Sequence, residues 1–292
     1  MSSLCGIVDF EKRRVDFSLL REMGRAMILR GQDQSGAYLS GGVGFYHNRT
    51  LCGEEEEARQ PYTVVRGGHA YTVMMDGILH ESRTAGGRFS LLDFSSAAEA
   101  VLEAYLSFGL DFAPYVQGSF AFAICDEYRG EVILARSADG KRPLYYSYVG
   151  GRLCFASEIK GMMRGLGGSM AVDGEALRRH WLSPVGTVEA REIYPSLCEI
   201  PAGRALVASR IDVQTVPLPP DGGSEACVGE LWIPTPDESV SLARCLDEAL
   251  TAFDHPEFDA EMPSYLGALR RAREGKTRTV RIWDGARREN LF

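Results

Sequence analysis

The chain has 292 residues, 45% of them hydrophobic and 25% charged, with a formal net charge of −8. That is globular composition, long enough for one large domain or a domain with an appendage, and its acidity argues against nucleic acid or an anionic membrane surface as partner, since phosphates call for clustered Lys and Arg. No run approaches the roughly 18 apolar residues of a membrane span, no basic stretch leads an apolar one at the N-terminus, and the expected compartment is the cytoplasm.

In chain order, the first strand is expected over residues 4–10, followed by an amphipathic helix over 17–29 with Leu19, Leu20, Met23, Met27 and Ile28 on one face. Two short strands, 36–40 and 43–46, flank Gly41-Gly42, a pair suited to a hairpin turn. The run Glu54-Glu55-Glu56-Glu57 reads as a solvated loop. A strand over 70–75 and a helix over 96–108 come next. Four strand-like runs follow, 119–125, 131–136, 144–148 and 152–155, rich in aromatic and branched residues and separated by Asp, Gly and Pro. Short helices begin near Ser157 and Asp173, and strands are expected over 204–208 and 213–217. Pro217-Leu218-Pro219-Pro220-Asp221-Gly222-Gly223-Ser224 is a linker by composition. Beyond it the pattern predicts helices over 237–253 and 261–274 and a strand over 279–283. Alternating hairpins and helices point to a layered α+β domain.

Seven cysteines, Cys5, Cys52, Cys125, Cys154, Cys198, Cys227 and Cys245, form no CxxC pair, and the five histidines are scattered. No disulfide framework and no metal site is read from them. A cysteine near a terminus is ordinarily a small buried hydrophobe, but the neighbours of Cys5 change that reading. LCGIVDF from Leu4, RGQDQSGAY from Arg30, DGILHE from Asp76, GSFAFAICD from Gly118, ARSADGKRPLYY from Ala135 and FASEIKG from Phe155 occur in this order.

Their order and spacing resemble the glutamine-hydrolysing (class II amidotransferase) domain of asparagine synthetase, from Cys5 to about residue 210. The resemblance implies a four-layer αββα N-terminal nucleophile hydrolase sandwich with a short helical C-terminal extension. It divides the chain into an amidotransferase domain over 1–216, a linker over 217–235 and a remnant of the synthetase domain over 236–292. It implies no cofactor. It also implies a catalytic group of Cys5, Gly77 and Asp76, and a substrate-binding group of Arg49, Arg30, Gly31 and Ala97. In such a scheme an N-terminal Cys attacks the side-chain amide of glutamine, and its free α-amine is the base. A thiol of pKa about 8.5 and an amine of about 8 are matched for proton exchange near neutrality. Gly77 matches the backbone donor to the oxyanion. Arg49, after His47-Asn48 and before Gln60-Pro61, matches the clamp on the substrate carboxylate, where a planar fork gives two hydrogen bonds. Arg30-Gly31 matches the loop beside the nucleophile.

Three departures fall on the chemistry. Ser2-Ser3-Leu4 cover Cys5, so its nitrogen is an amide, not a base, unless processing exposes it. Asp76 stands where the family has Asn, and an ionised carboxylate cannot donate to an oxyanion. Ala97 stands where the family's ammonium-binding Asp is expected. The last two changes together remove about 4–7 kcal/mol, or roughly three to five decades of rate. The synthetase's Ser-Gly-Gly-x-Asp-Ser pyrophosphate loop is missing, although DHPEFDAEMPSYL from Asp254 resembles a synthetase segment.

Three functions are therefore expected in competition. One is a glutamine amidotransferase that hydrolyses glutamine to glutamate and ammonia if Cys5 is exposed, feeding a separate synthetase partner chain. The second is a catalytically degenerate module that binds or regulates. The third is a cysteine amidohydrolase on another carboxylate-bearing amide, as related folds hydrolyse penicillins and bile salts. The expected small-molecule partner is glutamine or a similar carboxylate-bearing amide, with homodimerisation left open.

Overall fold

The computed structural model describes residues 2–51, 59–79, 93–167, 170–182 (180–182 by backbone alone) and 190–218, with the backbone of 281–283 and 288–290. The chain forms two compact units. The larger holds Ser2–Arg49 and Glu57–Gly223, and the smaller is chiefly Ser224–Phe292. In the smaller, β13 (Arg281–Trp283) and β14 (Arg288–Asn290) pair antiparallel. The helices predicted over 237–253 and 261–274 lie outside the described residues, as does the acidic run 54–57.

The larger unit runs β1 (Ser2–Asp9), α1 (Phe17–Ala26), a single 3-10 turn (Ile28–Arg30), β2 (Gln34–Ser40), β3 (Val43–Arg49), β4 (Tyr62–Arg66) and β5 (His69–Leu79). It continues with α2 (Ala97–Phe108), a 3-10 segment (Gly109–Tyr115), β6 (Gly118–Asp126), β7 (Glu131–Arg136), β8 (Tyr145–Val149) and β9 (Arg152–Ala156). Then follow α3 (Ile159–Leu166), α4 (Gly174–Leu182), α5 (Ala190–Ile193), β10 (Cys198–Glu199), β11 (Arg204–Ala208) and β12 (Val213–Pro217). Two six-stranded sheets result, one in the order β10-β8-β9-β1-β3-β2 and one in the order β12-β11-β7-β6-β5-β4. Neighbours pair antiparallel throughout both.

Side chains on a strand alternate between its faces, and the three core clusters sort by that rule into four layers. Leu4, Val8, Phe45 and Phe155 of the first sheet meet Met74, Ala121, Ala123 and Leu134 of the second, so this cluster lies between the sheets. Phe45 and Phe155 meet edge to face there, centroids 5.5 Å apart, a favoured aromatic geometry. Cys5, Ile7, Cys154 and Ala156 point the other way and pack with Leu20, Met23 and Met27 of α1 and its C-cap and with Ile159 and Met162 of α3. Val73, Met75, Phe120 and Phe122 pack on the outer face of the second sheet with Val101, Leu102 and Tyr105 of α2. The αββα sandwich expected from the motifs is what forms.

Local chemistry starts and stops these elements. Asp16 caps α1 by accepting from Ser18 N at 2.8 Å. Ser96 Oγ caps α2 by accepting from Glu99 N, while Glu99 reaches back to accept from Ser95 N, a reciprocal arrangement that satisfies otherwise orphaned donors. The hairpin foreseen at Gly41-Gly42 joins β2 to β3. Among the strands of the larger unit, β1 and β4 depart from expectation, and the two-residue β10 was not foreseen either. β1 begins at Ser2, two residues early, because Ser2 and Ser3 pair with Arg49 and Asn48 in the sheet. β4 was not foreseen, although Tyr62-Thr63-Val64-Val65 before Gly67-Gly68 carries a readable hairpin signal.

Candidate active site

The centre of the candidate site is where the start of β1 faces β5. By alternation Ser2 shares the inward face of β1 with Leu4, and Asp76 shares the inward face of β5 with Met74. Ser2 N–H donates to Asp76 Oδ1 at 3.0 Å. Arg30 Nη2 donates to Asp76 Oδ2 at 2.7 Å, and Arg30 Nε donates to the Ser2 carbonyl at 3.0 Å. Arg142 Nη1 lies 3.6 Å from Asp76 Oδ1. Beyond Arg30, Glu158 Oε1 is 3.7 Å from its Nη1, and Lys160 Nζ is 2.9 Å from Glu158 Oε2. The result is a chain of alternating charge, Arg142–Asp76–Arg30–Glu158–Lys160, with Asp76 only 2% exposed.

Two opposing effects act on Asp76. Burial would raise its pKa, but attraction to Arg142 and Arg30 outweighs that and holds the carboxyl below its usual range. It is therefore ionised and can only accept.

Several backbone and side-chain contacts fix this geometry. Leu4 N donates to Ser157 Oγ at 3.0 Å and Ser157 N to the Leu4 carbonyl at 2.9 Å, tying the start of β1 to the corner after β9. Asn48 Nδ2 donates to the Gly24 carbonyl at 2.7 Å and to Ser3 Oγ at 3.2 Å, tying β1 and β3 to α1. Beyond Tyr62, β4 no longer pairs with β5, and side chains take over at Met75. Gln60 Oε1 accepts from Met75 N at 2.6 Å, and His47 Nε2 lies 3.0 Å from the Met75 carbonyl. A carbonyl only accepts, so the ring is the Nε2–H tautomer. Burial drives the His47 pKa down to about 4, against small opposing pulls from Met75 and Asp76, so the imidazole is neutral.

Of the residues expected from sequence, Arg30 and Asp76 meet directly, and Arg49 is placed beside them by strand pairing. Arg49 is the cross-strand partner of Ser2 and is buried on the inward face of β3, which it shares with His47 and Phe45. Gly77 adjoins Asp76 with φ +130°, and a Cβ there would meet the Ser119 carbonyl oxygen at 2.1 Å, so only glycine fits. Gly31 is pressed against β3: a Cβ would stand 2.3 Å from Arg49 N.

Two expected residues are not brought to the site. Cys5 lies on the outward face of β1, opposite to Ser2 and Asp76, with no exposure. Burial pushes its thiol well above the usual range, and the nearby Cys154 adds to this. A thiol without access and with so little thiolate is no nucleophile. The structure thus does not bring Cys5 to this cluster: the residue at the start of the strand is Ser2, and Ser2–Leu4 pair within the sheet. Ala97, read as standing where the family's ammonium-binding Asp is expected, opens α2 and packs against the cluster on the outer face of the second sheet. Sequence reasoning missed Ser2, Arg142, Glu158, His47 and Gln60. The period-2 alternation through Leu4 carried the signal for Ser2, since a nucleophile at position 5 would share a face with Ile7 and not with Leu4.

Two antiparallel sheets packed face to face between helices, with the opening residue of a central strand held at an inward-facing cluster, define a sandwich of the N-terminal nucleophile hydrolase class. The same fold occurs in the glutamine phosphoribosylpyrophosphate amidotransferase of B. subtilis, solved with ADP and GMP. The match has a TM-score of 0.52 and 15% identity, and covers 74% of this chain and 49% of that one. The family model of the glutamine amidotransferase domain matches residues 1–217, and the chain belongs to that family. Among its curated relatives, asparagine synthetase [glutamine-hydrolyzing] 3 of Bacillus subtilis (strain 168) is 31% identical over 171 residues, 56% of this chain and 27% of the relative. Asparagine synthetase B [glutamine-hydrolyzing] of Escherichia coli (strain K12) is 30% identical over 167 residues, 56% of this chain and 30% of the relative. The chain spans less than a third of the length of these relatives. Among the described residues no helix is long and apolar enough to cross a membrane.

Proposed function

We propose that this domain keeps the amidotransferase scaffold and recognition of a carboxylate-bearing amide such as glutamine, while hydrolysis is suppressed. The observation that carries the reading is the 3.0 Å contact between Ser2 N–H and Asp76 Oδ1, with Asp76 ionised by its two arginines. A tetrahedral intermediate beside Ser2 would meet a negative acceptor where it needs a donor, which costs roughly 3–4 kcal/mol for the lost bond before repulsion is added. If removal of Met1 frees the Ser2 amine, pairing with Asp76 favours its ammonium form, and an ammonium is no base. A serine hydroxyl is in any case a poorer nucleophile than a thiolate without such a base. Three obstacles thus stand in one place, two of them set by Asp76.

The carboxylate of the ligand is assigned to Arg49, by its cross-strand position beside Ser2. The partition into a domain over 1–216, a linker over 217–235 and a synthetase-like remnant over 236–292 is part of the same proposal, supported by a family match that ends at residue 217. A separate synthetase partner chain, a homodimer and a cytoplasmic location belong to it as well.

Titration calorimetry with glutamine tests the reading. Saturable binding is expected, weakened at least tenfold by Arg49→Met, with no ammonia appearing in the cell. Glutamine binding that is absent, or indifferent to Arg49, contradicts it.

A further inference from the structure

Among the described residues, the cluster without Asp76 would hold three cations, Arg30, Arg142 and Lys160, against one carboxylate, Glu158. Arg30 and Arg142 are both buried, and Arg30 shares Glu158 with Lys160. Arg142 is 5% exposed, and among the described residues its Nε and Nη1 have no hydrogen-bond acceptor. Its approach to Asp76, at 3.6 Å, is an ion pair without a hydrogen bond. A guanidinium offers five N–H donors in a fixed fork that suits a carboxylate with both oxygens in its plane. One carboxylate therefore receives Arg30 on Oδ2 and Ser2 N–H on Oδ1, with Arg142 on its flank. That donor set would seat an anion brought from outside equally well.

We propose that Arg30, Arg142 and the Ser2 N–H form an oxyanion or carboxylate seat that the chain fills with its own Asp76 side chain. Asp76 then acts as a tethered ligand. While it sits there, the seat is closed to small anions, and shortening the side chain opens it to a free carboxylate of matching size. This deepens the proposed function, because it explains why the scaffold does not stabilise a developing oxyanion, but its test reads no turnover and stands apart from that reading.

The experiment is chemical rescue in the full chain. Asp76→Ala removes one carboxylate arm, and formate or acetate supplies it again. The variant is expected to melt below wild type in chloride buffer. Formate or acetate should restore it saturably, by roughly 3–6 °C at ten times the dissociation constant. The wild type, whose seat is full, should show no such gain, and neither should Asp76→Ala combined with Arg142→Met, which keeps the bulk of Arg142 without its charge. Acetamide, neutral and of the same shape as acetate, should fail to rescue. If Asp76→Ala is unfolded in chloride, purification in acetate decides: folded protein recovered in acetate alone supports the seat, and unfolded protein in both overturns it. Equal gains for wild type and variant, or for acetate and acetamide, overturn it as well.

Discussion

At Asp76 a buried carboxylate meets two buried guanidiniums, and each residue in the group depends on its partners. Removing one partner of a buried ion pair typically costs about 3–5 kcal/mol, because an uncompensated charge remains. Arg30→Met is therefore expected to cost at least as much stability as any other substitution in the group, since Arg30 also holds the Ser2 carbonyl and meets Glu158; chemical denaturation measures this. His47 sets a separate pH dependence. Its folded pKa of about 4 lies below the unfolded value near 6.5, so between these values the unfolded chain binds a proton that the native protein does not. Stability present at neutral pH is thus lost as pH falls from about 6.5 to 4, by roughly 3 kcal/mol in total. His47→Gln should flatten that window in a stability titration. Loss of Asp76 ionisation belongs below it, because its carboxyl is held under the usual carboxylate range.

At the scale of elements, β1 is the strand on which the site depends. It sits between β9 and β3, and its first three residues pair with Arg49, Asn48 and His47. A chain begun at Cys5 would lose those pairings, the Ser157 contacts and the Ser2–Asp76 bond together. Expressed in that form, the protein is expected to melt well below the full chain and to gain no glutaminase activity; a stable, active product would contradict the assignment of Cys5 to the core. Cys5→Ala should by contrast cost about 1 kcal/mol of packing and leave ligand binding unchanged. The helices and most strands were legible in the sequence because their hydrophobic periods are long and regular: Leu20, Met23 and Met27 on α1, Phe120 and Phe122 on β6. The site was legible only in part. Arg30, Arg49, Asp76 and Gly77 could be placed from motif order. Cys5 could not be placed correctly, because a one-face error on a strand reverses every side chain. The Arg142–Asp76 pair joins residues 66 positions apart through sheet packing, which no local pattern encodes.

At the scale of the molecule, the second sheet supplies an acceptor and the first a strand start, and the helices outside both hold them in register. In a sandwich of this class chemistry needs an amine, a nucleophile and oxyanion donors at one point. On the proposed reading the scaffold is kept, while the ionised Asp76 stands where a donor would be needed and β1 starts at Ser2. Under the proposed function this exchange silences hydrolysis. Ammonia release from saturating glutamine, after Met1 is removed, tests it most directly. Wild type and Ser2→Ala should be indistinguishable from the uncatalysed background, while Ser2→Cys combined with Asp76→Asn should release ammonia above it. Ammonia released by the wild type and abolished by Ser2→Ala would contradict the claim.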